Sequence, residues 1–239
     1  MIQTLFRGIN IVLILQLIFR GKKETESTWA WILLLLNFPI VGFFLFLLTG
    51  QSIPKQKREE TKEYIGGVTE DNRIEILVGG KEKFQAVLTD MMNAKQEILI
   101  QYYIFKEDFL FEKIKEVLCK KAAEGVRVRV LYDGLGSRKI RPGSWNELRR
   151  KGVEVKRFKH SFKSPFLSMV SGFNYRNHRK ILVVDRYIGY LGGYNIGKEY
   201  LGMETRFGDW RDTHFRMEGS AVDSLRRVFL KDWGEKEET

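Results

Sequence analysis

His178 and Lys180 are the two residues whose types and spacing most clearly predict chemistry. They are two positions apart, and residues two apart in an extended strand point to the same face of the sheet. An imidazole beside an ammonium suits a phosphate, because the ammonium neutralises the oxygens while the imidazole attacks phosphorus. Asp185 comes five residues after Lys180 and faces the other way on a regular strand. We expect Asp185 to anchor the strand end rather than to contact substrate.

A glycine turn follows this segment and completes a longer pattern, with Gly192, Gly193 and Asn195 after Asp185. The whole resembles the signature of the phospholipase D superfamily. That signature is His, any residue, Lys, four residues, Asp, six residues, Gly-Gly or Gly-Ser, any residue, and Asn. Flanking segments narrow the resemblance to bacterial cardiolipin synthases. These segments are 101–105, 125–128, 132–134, 174–180 and 210–214.

The resemblance implies a role for each matching position. His178 is the expected nucleophile, which forms a phosphohistidine intermediate, and Lys180 is expected to hold the phosphate oxygens. Asn195 and Gly193 of the glycine turn are the expected phosphate-binding residues. The resemblance further implies that the reaction needs no metal and no cofactor, and no group of residues in the sequence has metal-ligand spacing.

An acidic residue is expected to fix the tautomer of the nucleophilic histidine. Asp212 resembles the position at which the superfamily supplies that partner, and we predict it for this role. Strand parity leaves Asp185 a positional role within the catalytic set. Glu199 and Asp209 are less favoured alternatives to Asp212.

The chain contains one copy of the signature, whereas members of the resembled family carry two. It has three histidines, and neither His160 nor His214 has a lysine two residues later. Three explanations stay open: a homodimer in which each subunit supplies one motif, a separately encoded second chain, or an inactive truncated remnant. With a second motif, the resemblance implies phosphatidyl transfer from phosphatidylglycerol. A membrane-bound phosphate-binding protein and a superfamily nuclease are the alternative functions.

The composition favours an anionic partner, because the net charge is +11 and the pI is near 9.6. Phospholipid headgroups and nucleic acid both carry the complementary charge. Two hydrophobic segments in the N-terminal part of the chain favour phospholipid over nucleic acid as the partner. Residues 29–48 contain no charged residue over a length that suits a bilayer core, with Trp29 and Trp31 at one end.

Residues 2–19 form a weaker apolar segment that includes Asn10 and Gln16. We expect two transmembrane helices paired as a hairpin, which gives a membrane anchor over 1–50 and a polar linker over 51–72. Basic residues after the second segment favour a multi-pass cell-membrane protein whose catalytic domain lies in the cytoplasm. Basic residues between the two segments compete with that orientation.

Residues 73–239 alternate between strand and helix patterns, which predicts an α/β sandwich with a largely parallel sheet. The resemblance implies a phospholipase D-like mixed sheet flanked by helices, one half of the usual two-lobed fold. The predicted strands are 73–78, 97–105, 126–132, 153–158, 178–185, 187–191 and 212–217. Residues 159–176 mix apolar and basic side chains, and we expect either a loop that admits lipid or a packed surface loop.

Overall fold

The computed structural model describes residues 2–20, 25–47, 69–158, 176–203 and 210–235. The chain divides into two compact units, one with the three N-terminal helices and one with the elements from residue 69 onward. None of the helices in these ranges combines the length and apolar character that a membrane crossing requires. The two predicted transmembrane helices are therefore not confirmed. Most of the predicted linker and of the 159–176 loop lies outside the described residues.

The first unit contains α1 (Ile2–Arg20), α2 (Thr25–Asn37) and α3 (Pro39–Leu45), so Pro39 divides the predicted 29–48 span. Proline has no backbone N–H, and the Leu35 carbonyl therefore loses its helical donor. The side-chain amide of Asn10 donates to the carbonyls of Leu35 and Pro39, both at 2.9 Å. The polar residue within the apolar run of α1 thus satisfies backbone acceptors at the helix break.

Seven strands form one mixed sheet in the second unit, in the order β1-β7-β6-β5-β2-β3-β4. The strands are β1 (Arg73–Gly79), β2 (Glu97–Tyr102), β3 (Arg127–Tyr132), β4 (Glu154–Arg157), β5 (Ile181–Val184), β6 (Ile188–Gly192) and β7 (Arg211–Glu218). The predicted mixed sheet is correct, but the expected largely parallel pairing is wrong. Only β2–β3 and β3–β4 are parallel among the described pairs. The tight turn after β5 reverses the chain into β6, and β7 returns antiparallel beside it.

In the described part of this unit, four α-helices flank the sheet: α4 (Gly80–Asn93), α5 (Phe109–Ala123), α6 (Pro142–Arg150) and α7 (Ala221–Trp233). The Asp108 carboxylate caps α5 by accepting from the backbone of Leu110 and Phe111. After α5 the chain turns at Gly125, whose φ of +88° falls in the region that favours glycine. The predicted alternation of helices and strands is therefore correct.

The central strand β2 is buried on both faces of the sheet. Ile98 and Ile100 lie in the cluster formed with α4, α5 and α6, whereas Leu99 lies in the cluster formed with α7. Burying one such side chain contributes about 1.5–3 kcal/mol. The helices thus stabilise the middle of the sheet from both sides, and β5 pairs directly with this strand.

Candidate functional site

His178 and Lys180 lie immediately before β5, in a segment without regular secondary structure. The predicted strand 178–185 is therefore shorter than expected. Lys180 Nζ lies 3.1 Å from each ring nitrogen of His178 and donates to the His178 carbonyl oxygen at 2.9 Å. Lys180 is 3% exposed, whereas His178 is exposed. The two groups are side by side, with the ammonium beneath and the imidazole toward solvent.

Tyr103 forms a wall of this site just after β2. Its ring centroid lies 4.8 Å from that of His178, and Lys180 Nζ lies 5.7 Å from the same Tyr103 centroid. An ammonium at that distance from an aromatic face is attracted by the ring quadrupole. Tyr103 therefore holds both groups in place without neutralising either one. It belongs to the flanking segment 101–105, but nothing in its spacing marked it as a site residue.

The environment tunes both groups for attack on an anion. Burial, followed by the charge of Lys180, lowers the pKa of His178, while Asp133 acts in the opposite direction. Burial lowers the pKa of Lys180 to about 8, and the charge of Asp212 opposes that shift. At neutral pH the imidazole is therefore neutral and nucleophilic, and the lysine is still charged.

The glycine turn after β6 brings Asp212 of β7 close to the site. The Gly193 amide donates to the Thr213 carbonyl at 3.0 Å. A Cβ atom at Gly193 would lie 2.0 Å from Asp212 Oδ1, so only glycine permits this approach. The Gly193 N–H is thus already hydrogen-bonded to β7. What Gly193 provides is space for the Asp212 carboxylate, because it has no side chain.

Asn195 is almost fully buried at the end of the glycine turn. Its Oδ1 accepts from the Ile104 amide at 3.2 Å, and its Nδ2 donates to the Tyr200 hydroxyl at 2.9 Å. Both ends of the side-chain amide therefore have protein partners. The second N–H of the amide makes no hydrogen bond to the described residues, and a contact with phosphate stays a prediction.

The acidic candidates occupy different surroundings. Asp212 Oδ1 accepts from the Thr213 amide at 2.7 Å, and no carboxylate of the described residues accepts a hydrogen bond from the His178 ring. Glu199 pairs instead with Lys106 at 2.5 Å. Asp209 lies outside the described residues. Asp212 is thus placed to act on Lys180, and its contact with an imidazole stays a prediction.

Asp185 lies at the far end of β5 and caps the start of β2. Its carboxylate accepts hydrogen bonds from the amides of Lys95, Gln96 and Glu97 at 2.7, 2.7 and 3.0 Å. These charge-assisted bonds hold the two central strands in register. The structure therefore separates Asp185 from His178 and Lys180 and gives it the contacts of an anchoring residue.

Two buried basic residues lie behind the site, and sequence reasoning missed one of them and undervalued the other. His214 of β7 is 0% exposed, and neither ring nitrogen has a partner among the described residues. Burial and the charges of Lys83 and Lys180 lower the pKa of His214 to about 2. Lys83 donates to the Tyr102 hydroxyl at 3.0 Å. The two-residue spacing from Asp212 could have marked His214, but nothing distinguishes Lys83 from an exposed helical lysine.

No cluster of three or more His, Cys, Asp or Glu side chains in the described part of the chain is arranged to hold a metal ion. The site consists of a neutral imidazole, a buried ammonium, a nearby carboxylate and a glycine turn. This set can bind a phosphate group and present a nitrogen nucleophile to its phosphorus.

Comparison with family models covers most of the chain. Residues 87–233 match the model described as "Cardiolipin synthase, PLD-like domain", and residues 8–51 match the one described as "Phospholipase_D-nuclease N-terminal". The first range includes His178, Lys180, Asp185, Asn195 and Asp212. The second covers most of the predicted anchor.

Two curated relatives extend the match. The chain is 37% identical to the major cardiolipin synthase ClsA of Bacillus subtilis, over 97% of this chain and 56% of that protein. It is 38% identical to the cardiolipin synthase of Oceanobacillus iheyensis, over 95% of this chain and 55% of that protein. The chain therefore spans about half the length of the curated relatives it matches.

Two solved structures share this fold. The phosphatidylserine synthase of Haemophilus influenzae gives a TM-score of 0.53 at 16% identity, over 74% of this chain and 40% of that one. NucT from Helicobacter pylori gives 0.51 at 15% identity, over 68% of this chain and 96% of that one. At such low identity these matches show the fold alone.

Proposed function

Because this chain belongs to the family of cardiolipin synthase phospholipase D-like domains, we propose that it is a phosphatidyltransferase subunit that acts on phosphatidylglycerol. The contact of Lys180 Nζ with both ring nitrogens of His178 carries this proposal. An exposed neutral imidazole over a buried ammonium is the arrangement that attack on a phosphodiester requires. Asn195 lies at the adjoining glycine turn, where the Asp212 carboxylate occupies the space above Gly193.

The proposed reaction has two steps. His178 attacks the phosphorus of phosphatidylglycerol, a P–N bond forms, and the P–O bond to the departing glycerol breaks. A hydroxyl of a second phosphatidylglycerol then attacks the phosphohistidine, which breaks the P–N bond and forms cardiolipin. Lys180 stabilises the charge on the phosphate oxygens in both steps. A proton must pass to the departing glycerol and leave the attacking hydroxyl.

A second His-Lys pair is the natural donor and acceptor of that proton, and we propose that another subunit supplies it. A symmetric homodimer would bring two copies of the site together, because a two-fold interface joins identical surfaces. A separate chain with its own motif would serve equally. This sequence contains one copy of the signature, and it spans about half the length of the relatives it matches.

We also propose that residues 1–50 hold the protein at the cell membrane, with the catalytic domain on the cytoplasmic side. The uncharged run 29–48 and the basic residues that follow it support this placement. A membrane location would present the site to its lipid substrate.

The test uses the full chain in mild detergent with phosphatidylglycerol labelled in its phosphatidyl group. After denaturation, the wild type should retain label through an acid-labile, base-stable bond to His178, as a phosphoramidate would. The variant His178→Ala should retain none. Label that persists in His178→Ala, or that never forms with a second motif-bearing chain present, would contradict the phosphohistidine route.

A phosphate-binding protein without turnover is the second candidate, because the contact between Lys180 and His178 would also serve to bind a phosphate. This candidate predicts that the wild type binds the lipid headgroup but accumulates no label and releases no glycerol. Glycerol release is measured in the same reaction, so one experiment separates the two functions.

A further inference from the structure

A separate basic cavity opens at the carboxyl ends of β3 and β4. It has a volume of about 190 Å³ and does not include His178 or Lys180. Its lining contains three arginines, a stacked aromatic pair and, as far as the described residues go, no acidic residue. The central lining residues are Tyr132, Gly134, Arg138, Trp145, Arg149 and Arg157. Carboxyl ends of parallel strands are where α/β sheets commonly bind ligands.

The three guanidinium groups face the cavity without a negative partner. Within the described residues, none of Arg138, Arg149 and Arg157 forms an ion pair with a carboxylate. Arg157 lies so close to Gly134 that a Cβ there would be 1.9 Å from Arg157 Nε. Arg149 donates from Nε and Nη2 to the Val155 carbonyl at 3.3 and 3.1 Å and from Nη1 to Asn146 Oδ1 at 3.0 Å, which fixes its guanidinium at the cavity. All three arginines are exposed, and together they make the cavity attractive to an anion.

The aromatic pair in the lining of the cavity limits which anion can fit there. The rings of Tyr132 and Trp145 stack on each other with centroids 4.3 Å apart, and Trp145 is 4% exposed. Stacking covers one face of each ring and burial covers the rest of Trp145, so at most one face of Tyr132 is left for a nucleic-acid base. The cavity is also smaller than the roughly 300–1,000 Å³ of pockets for drug-sized ligands. It suits one phosphate with a short polar substituent.

The cavity adjoins the candidate active site through the end of β3. Tyr132 and Gly134 line the cavity, and Asp133 between them turns its carboxylate the other way. That carboxylate accepts from the Asn177 amide at 3.3 Å, next to His178 in the chain. It also accepts from the Leu135 amide at 2.9 Å, which fixes the loop. A headgroup in the cavity would thus lie beside the segment that carries the nucleophile.

We propose that this arginine cavity binds the phosphodiester headgroup of a second anionic phospholipid, the one that accepts the phosphatidyl group. The acceptor role of this lipid rests on the proposed function, because only a transfer reaction needs two lipids. Arginine suits this task through paired N–H donors that match phosphate oxygens.

The test measures binding of radiolabelled glycerophosphoglycerol, the deacylated headgroup, to the full chain in non-ionic detergent. The background variant His178→Ala/Lys180→Ala removes the nucleophile and its ammonium, so retained binding reports the cavity. Adding Arg138→Gln/Arg149→Gln/Arg157→Gln should weaken this binding about a hundredfold. The matched control Arg73→Gln/Arg127→Gln/Arg150→Gln removes the same charge from exposed positions outside the cavity and should change it less than about twofold.

The single variant Arg138→Gln guards against misfolding, since Arg138 is exposed and its side chain makes no hydrogen bond within the described residues. It should weaken headgroup binding about fivefold at an unchanged melting temperature. Binding that survives the triple substitution, or that is absent from the background variant, would overturn the inference. Equal competition by inorganic phosphate, or stronger competition by an oligonucleotide, would overturn the headgroup assignment. His178 labelling tests the proposed function separately and does not depend on these outcomes.

Discussion

The two ends of β5 carry charged groups that are held in opposite ways. At the start of the strand, the His178 ring contacts only Lys180 and the Tyr103 wall among the described residues. At the other end, the Asp185 carboxylate accepts three backbone hydrogen bonds. The hydrogen bonds of the Asp185 carboxylate to three fixed amides position the chain. The His178 ring has few protein partners, so it is free to react with a substrate. One short signature therefore supplies both an anchor and a reactive end.

The strand between these ends is a rigid spacer. All four residues of β5 are buried, and the strand pairs with β2 on one side and β6 on the other. Because Asp185 also binds the start of β2, a shift of β5 along β2 would break those bonds. The anchor thus fixes the distance at which His178 and Lys180 emerge from the sheet.

Changing Lys180 to methionine should reduce the labelling of His178 without reducing the stability of the protein. We expect labelling of His178 to fall roughly a hundred- to a thousandfold, because the charge that stabilises the phosphate oxygens is gone. Replacing a buried ammonium by an apolar chain of similar length should leave the melting temperature unchanged or raised. Labelling rates and thermal unfolding of the full chain in detergent check both. Unfolding of this variant would show that the ammonium is structural.

Removing the Asp185 carboxylate should have the opposite effect: lower stability with unchanged labelling. Asp185→Ala leaves three amides without their acceptor and should reduce the free energy of unfolding by about 2–4 kcal/mol. Labelling per folded molecule should stay unchanged. The control Asp223→Ala removes an exposed carboxylate that pairs with Arg227 at 3.2 Å and should cost less than about 1 kcal/mol. A large labelling defect in fully folded Asp185→Ala would mean that Asp185 acts in the chemistry.

Sequence spacing was sufficient for this contrast because it concerns neighbours along one strand. The two-residue interval predicted that His178 and Lys180 lie together, and the five-residue interval predicted that Asp185 lies apart. Both predictions assumed a regular strand over 178–185, and the two groups lie together although β5 begins only at Ile181. The relative placement of residues close in sequence can therefore be predicted even when the strand boundaries are wrong by a few residues.

Long-range pairing was not accessible in the same way. The position of Asp212 over Gly193 depends on the register of β6 against β7, in which Gly192 pairs with His214. The antiparallel return of β7 depends on residues far apart in the chain. Buried Lys83 is likewise defined by strands that pack over α4 and not by its own helix. The sequence therefore predicted the alternation of elements but not the strand directions or the buried basic residues Lys83 and His214.

The pH dependence of labelling should separate the two reactive groups. The neutral form of His178 attacks, so labelling rises with pH through the pKa of His178, which lies below its usual 6.5. The charged form of Lys180 stabilises the phosphate, so labelling falls as pH rises through about 8. Each limb should approach a tenfold change per pH unit. A profile that keeps rising through the alkaline limb would contradict a cationic role for Lys180.

Gly193→Ala offers the smallest and sharpest change, because its Cβ would displace the Asp212 carboxylate while both reactive groups remain. We expect labelling to fall about tenfold. Since the charge of Asp212 raises the pKa of Lys180, moving it away should shift the alkaline limb to lower pH. The control Gly143→Ala adds a methyl where nothing lies within 4 Å and should leave the profile unchanged. An unshifted alkaline limb in Gly193→Ala would show that Asp212 does not act through Lys180, which would return it to the role of an imidazole partner.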